Sequence, residues 1–200
     1  MISRLIIATH NPHKREELLR ILQEAMESQV EILTLDDIHP PIGDIEETGL
    51  TLEENALIKA RAVHERTGLP TIADDTGLEV DALDGAPGVF SARYAGENAT
   101  YQSNVAKLLT EMECKINRNA RFSTVIAFVD ESNEQDFFRG EVEGEIALSP
   151  RGTNGFGYDP VFIPEGQSRT FAEMNLDEKN TVSHRSRALR KLAEFLGATV

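Results

Sequence analysis

With a single cysteine, Cys114, the 200-residue chain has no second thiol for an intrachain disulfide, and a reducing, cytoplasmic setting is expected. Cys114 follows an apolar helical pattern and is expected to be an inert core thiol. Basic residues are scarce too: 20 Lys and Arg stand against 34 Asp and Glu, a formal charge of −14. So acidic a chain argues against a general binder of nucleic acid or of membranes, and leaves room for a local basic pocket that takes a small anion. Long apolar runs are missing. The N-terminal MISRLIIATHNP holds one short run, which reads as a strand and not as a signal peptide or a membrane span. No internal repeat, linker or low-complexity segment is present. The Walker phosphate loop is absent, and no Ser/His/Asp or Cys/His pattern marks a covalent nucleophile. What remains is an ordinary globular composition with ample core, as one large domain or two small lobes.

The densest signal is TIADDTGLEVDALDGAPGVFSARYAG at 71–96. It opens as a short buried strand that delivers Asp74 and Asp75 to its end. Thr76-Gly77 is expected to turn the chain. Leu78, Val80 and Ala82 then alternate with Glu79 and Asp81, as in a second, half-buried strand of an acidic hairpin. Two adjacent carboxylates leaving a buried strand repel each other and need compensation. A divalent cation is the usual remedy, and oxygen-only ligands suit Mg²⁺. The alternative is a solvated acidic turn.

Upstream, residues 3–9 read as a buried strand, followed by the turn Thr9-His10-Asn11-Pro12-His13-Lys14. Asn11 suits an N-cap and Pro12 the first helical position, with Leu18, Ile21, Leu22, Ala25 and Met26 on one stripe. Strand, polar turn and helix aim backbone N–H groups at an anion. Lys14 opposes the helix dipole there, which phosphate binding would explain; an ordinary capped helix with a solvated lysine is the alternative. Residues 31–38 suggest a strand. Thr51 and Glu54 form a capping box for a helix to about Thr67, stopped by Gly68, with Ala56, Ala60 and Val63 inward. Glu46 and Glu47 precede it, placed to cap the helix or to reach a cation near Asp75.

Further on, Asn98 or Thr100 opens a helix, and residues 120–130 and 136–148 are expected to pair as strands across a turn near Ser132-Asn133. The stretch 149–166 reads as a Gly/Pro-rich loop. Its Phe156 and Tyr158 suit either base stacking or anchoring to the core. Phe171 to Asn180 suggests one short helix or turn, and Ser183 caps the last helix. Lys179, His184, Arg185 and Arg187 lie before or in its first turn, against the macrodipole, as an anion site or a solvated basic patch would have it.

Together ATHNPHK at 8–14, EETGLTLEENALIKA at 46–60, ADDTGLEVDAL and APGVFSARYAG within 73–96, GFGYDPVF at 155–162 and EKNTVSHRSRAL at 178–189 resemble the inosine triphosphatase family, the XTP/dITP diphosphatases. The motifs run in the family's order from end to end of the chain. The resemblance implies one α/β domain over residues 1–200, an elongated mixed β-sheet with flanking helices forming two lobes around a central nucleotide cleft. It also implies a homodimer and Mg²⁺. By the same resemblance Thr9, His10, Asn11, Pro12, His13 and Lys14 would cradle phosphate. Glu46 and Asp75 would serve the metal, Asp75 being also the proton acceptor. Thr76 would touch substrate, and Phe156, Gly157, Tyr158 and Asp159 would hold the base and sugar. Lys179, His184 and Arg185 would complete the pocket. A donor-only arginine pairs with a 6-keto purine and not with adenine, so Arg185 is the expected base reader, with Phe156 stacking on the ring. His13 replaces a common glycine and Thr76 a common serine. The implied activity is hydrolysis of ITP, dITP and XTP to monophosphate and pyrophosphate, cleaning the nucleotide pool. A septum-associated pyrophosphatase with another base preference, a nucleotide sensor without turnover and an acidic interaction module are the alternatives.

Overall fold

The computed structural model describes residues 2–26 and 30–197. Its elements are β1 (Arg4–Ile7), α1 (Pro12–Ala25), β2 (Glu31–Thr34), α2 (Leu52–Thr67), β3 (Thr71–Val80), β4 (Pro87–Gly88), α3 (Tyr101–Glu111), β5 (Asn119–Val129), β6 (Gln135–Ile146), β7 (Phe162–Pro164), α4 (Leu176–Val182) and α5 (His184–Phe195). Among the described residues the strands form one sheet in the order β2-β1-β3-β5-β6-β7, with β4 beside β3. It is mixed: β1 runs parallel to β2 and β3, whereas β3 with β4 and β6 with β7 are antiparallel. The α/β class expected from the sequence is the one found.

The chain divides into two compact units. The first comprises Met1–Asp75, Thr124–Gly140 and Arg185–Val200; the second comprises Thr76–Ser123 and Glu141–His184. The chain leaves the first unit inside β3, directly after Asp75, and returns to it for the last time at Arg185.

In the first unit the two faces of the sheet are covered separately, because side chains alternate along a strand. Leu5, Ile7, Ile72, Ile126 and Phe128 face Leu18 and Leu22 of α1 and Leu189 and Leu192 of α5. Their neighbours Ile6, Ala8, Ala73, Ala127 and Val129 face Ala56, Ala60 and Val63 of α2. Both helices begin where their caps predict. Asn11 accepts the His13 and Lys14 backbone N–H groups at 3.0 and 3.3 Å. The Thr51/Glu54 capping box closes the start of α2, and Gly68 ends it in the left-handed region at φ +67°. In the second unit Leu78, Val80, Leu108, Met112, Phe122, Val142, Tyr158, Phe162 and Phe171 form the core. Thr100 caps α3.

Four expectations change. First, β3 is one continuous strand with no turn at Thr76-Gly77, and Ala82 lies in a 3-10 turn beyond it. Gly77 serves close packing instead: a Cβ there would lie 2.7 Å from the Gly88 carbonyl oxygen on β4. Second, Cys114 is exposed, at φ +62°, because α3 has already ended at Glu111. Third, the 149–166 stretch contains a strand, β7, paired to β6. Fourth, residues 171–182 make a 3-10 turn and then a helix rather than one element.

Candidate active site

Asp74 and Asp75 end the first of the three segments of the first unit, and the pleat of β3 sends them to opposite faces. Asp74 shares the face of Ile72, towards α1 and α5. Its Oδ2 lies 3.1 Å from Lys14 Nζ and 3.2 Å from Arg185 Nε. Burial by itself would raise the Asp74 carboxyl, but the Lys14, Arg185 and Lys59 charges outweigh it and hold the group well below the usual carboxylate range. Asp75 shares the face of Ala73, towards α2. There Asn55 Nδ2 donates to its Oδ2 at 3.2 Å, and Lys59 Nζ stands 3.8 Å from its Oδ1. Here burial prevails over the Lys59 and Lys14 ammoniums, and the Asp75 carboxyl is pushed up. Lys14 and Arg185 thus contact Asp74 while Lys59 stands beside Asp75, and the two lysines act on both carboxylates. The two acids diverge in chemistry: Asp74 is a fixed anion, and Asp75 is the better proton acceptor.

Asn55 and Lys59 sit one helical turn apart on α2, so both reach the same carboxylate. Asn55, fully buried, also accepts the Gly49 backbone N–H at 2.8 Å, which ties the segment before α2 to Asp75. Lys59 Nζ bridges to Glu47 Oε1 at 2.7 Å. Burial lowers the Lys59 ammonium, but Asp75, Glu47 and Asp74 raise it further, so it stays charged.

Among the described residues no three or more His, Cys, Asp or Glu side chains are grouped to hold a metal by themselves. The donor chemistry nevertheless suits Mg²⁺, which uses one or two carboxylates and takes its remaining oxygens from phosphate and water. An ammonium already lies between the carboxylates of Glu47 and Asp75, so that pair accommodates positive charge. Glu46 is exposed on the adjoining residue.

In the N-terminal turn, Thr9 is buried and its Oγ1 accepts the Asn11 N–H, while a His10 ring nitrogen lies 3.0 Å from the Ile42 carbonyl oxygen. Pro12 and His13 are exposed. The first N–H groups of α1 are turned to Asn11, so what this turn offers a phosphate is chiefly the Lys14 ammonium. Asp74 accounts for that lysine against the dipole. Arg185, expected to read the base, is 1% exposed, with its Nε and Nη1 on Asp74 and Glu17. These two nitrogens thus meet carboxylates of the first unit.

The second unit holds the other candidates. Lys179, on α4, is buried and reaches Asp159 Oδ2 at 2.6 Å; the same oxygen accepts the Phe156 N–H at 2.9 Å. Gly155 makes this possible, since a Cβ there would lie 2.1 Å from that oxygen and its φ is +70°. The half-buried Phe156 ring lies 5.0 Å from Lys179 Nζ and 5.9 Å from the Tyr101 ring. Gly157 takes φ +61°. The Tyr158 hydroxyl donates to the Ser91 carbonyl at 2.9 Å, so this aromatic anchors its loop to the core. His184 is buried and stacks on Phe122 at 4.5 Å. Thr76 is half-buried on β3.

Sequence reasoning did not single out Asn55, Lys59, Glu17 or Tyr101. The first two had a signal: a polar pair four residues apart, next to the Ala56/Ala60 stripe. A model of the Ham1 family matches residues 5–195. The chain is 53% identical over 196 residues to the "dITP/XTP pyrophosphatase" of Porphyromonas gingivalis, covering 98% of each chain. It is 49% identical over 193 residues to the protein so named in Christiangramia forsetii, covering 96% of this chain and 98% of that one. Among solved structures, a HAM1 protein from Coxiella burnetii superimposes with a TM-score of 0.88 at 41% identity, over 98% of this chain and 99% of that one.

Proposed function

The chain belongs to the Ham1 family, and from that premise we propose that it hydrolyses deaminated purine nucleoside triphosphates, dITP, ITP and XTP, to the monophosphate and pyrophosphate. The observation that carries the chemistry is the division of labour between Asp74 and Asp75. Asp74, held ionised, keeps the Lys14 ammonium in place for the phosphate oxygens, where charge accumulates as pyrophosphate leaves. Asp75, with its raised carboxyl, takes the proton of the attacking water. Asn55 donates to Asp75 Oδ2 and Lys59 Nζ stands 3.8 Å from Oδ1, so both partners orient the carboxylate. Mg²⁺, held by Asp75 with Glu46 and its neighbour Glu47, would neutralise the triphosphate and orient it. No covalent intermediate is required.

For the base and sugar the proposed residues are Phe156, Gly157, Asp159, Lys179, His184 and Thr76. Phe156 offers a stacking face. Hypoxanthine and xanthine carry a 6-keto acceptor where adenine has an amino donor, so a donor-only side chain favours them. Arg185, paired with Asp74 and Glu17, and Lys179, paired with Asp159 beside Phe156, are the two donors proposed to read the 6-keto group. The proposed assembly is a homodimer, on the family resemblance, and light scattering in solution tests it. A cytoplasmic location is proposed from the lone cysteine; no helix among the described residues is long and apolar enough to cross a membrane. The activity is tested by pyrophosphate release over dITP, XTP, GTP and ATP with and without Mg²⁺. Preferential release from dITP and XTP is expected, and equal release from ATP would overturn the substrate assignment.

A further inference from the structure

The Glu17 carboxylate has no part in the chemistry above, yet it is among the most buried charges in the first unit. It lies on α1 three residues after Lys14, on the same side of the helix. Its neighbours in the buried stripe are Leu18, Ile21 and Leu22. An apolar side chain at 17 would extend that stripe and avoid the cost of desolvating a carboxylate. Instead Glu17 Oε2 meets Arg185 Nη1, Arg185 Nε meets Asp74 Oδ2 at 3.2 Å, and the same Asp74 oxygen meets Lys14 Nζ at 3.1 Å. Four charges alternate in sign along this chain. It ends on Lys14, the member with the greatest side-chain exposure, 15% against 5% or less for the other three.

We propose that Glu17 is a positioning residue: it fixes the Arg185 guanidinium, which orients Asp74, which in turn holds Lys14 towards the phosphates. Guanidinium groups favour two parallel bonds to one carboxylate. Without Glu17, Arg185 would turn a second nitrogen as well as Nε onto Asp74, and the carboxylate, rotated to meet it, would no longer aim Oδ2 at Lys14. With Glu17 drawing Nη1 away, Arg185 presents Nε to Asp74 and leaves room for the ammonium.

The inference rests on the reading of Lys14 as a phosphate ligand, and a double-mutant cycle separates the two. Glu17→Gln, Lys14→Met and the double variant are compared in kcat/KM for dITP, with thermal melts of each. Glu17→Gln is expected to lower kcat/KM by roughly tenfold and Lys14→Met by about a hundredfold. The double variant should match Lys14→Met within about twofold, since Glu17 acts only through Lys14. Losses that multiply would overturn the proposal, as would a lowered melting temperature with unchanged kcat/KM in Glu17→Gln. Full activity in Lys14→Met would instead remove the phosphate reading, and the proposal with it. Should Glu17→Gln fail to fold, Glu17→Asp, which keeps the charge but withdraws it by one methylene, enters the same cycle and is judged by the same outcomes.

Discussion

Replacing Asp74 by Asn tests the electrostatic centre of the first unit. The change keeps the shape of a side chain with no exposed surface and removes the charge that faces Lys14 and Arg185. Removing one partner of a buried ion pair costs about 3–5 kcal/mol. Here the lower end applies, because Arg185 keeps Glu17 and the partly exposed Lys14 can turn towards water. For a chain of this length about 3 kcal/mol corresponds to a melting temperature lower by roughly 6–12 °C. The penalty depends on pH with a definite sign. The Asp74 carboxyl is depressed in the folded state, so its contribution is complete above the unfolded value of about 3.9 and fades as pH falls below it. Each pH unit below that value removes up to about 1.4 kcal/mol, so the difference between wild type and variant should be about 1 kcal/mol smaller at about pH 3 than at about pH 7. Urea unfolding at both pH values measures it. A penalty below about 1 kcal/mol near neutrality, or one that does not shrink in acid, would show that Asp74 is not held as the distances indicate.

Asp75→Asn should lower kcat by about a hundredfold while the affinity for a non-hydrolysable dITP analogue, read by calorimetry, stays near that of the wild type. Asn55→Ala removes the donor to Asp75 and the acceptor of the Gly49 N–H, and should lower kcat by roughly tenfold; Asn55→Asp keeps the acceptor alone and should not recover it. Phe156→Ala should raise KM for dITP by roughly 5- to 150-fold, the range of one base–aromatic stack, with a smaller change in kcat.

How much was legible in the sequence follows from the kind of signal. Local rules worked where a residue acts on its own helix: Asn11, Thr51, Thr100 and Gly68 start or stop helices where capping chemistry places them. They failed where a glycine serves a distant strand. Gly77 read as a turn because its real partner, the Gly88 carbonyl, is eleven residues away and invisible to local pattern. The adjacency of Asp74 and Asp75 pointed to carboxylates in need of compensation, but not to their separation: strand pleating sends the two acids to opposite faces. That separation, and the partners Asn55, Lys59, Glu17 and Arg185, arise from which helix covers which face. Cys114 read as core because the apolar pattern of α3 was carried past the end of the helix.

The claim on which the rest depends is that water attacks the α-phosphorus and pyrophosphate leaves intact. Hydrolysis of dITP in water carrying a heavy oxygen isotope, with products separated by mass spectrometry, tests it most directly. One heavy oxygen in the monophosphate and none in pyrophosphate is the expected result. Label in pyrophosphate, or release of inorganic phosphate in its place, would contradict the account.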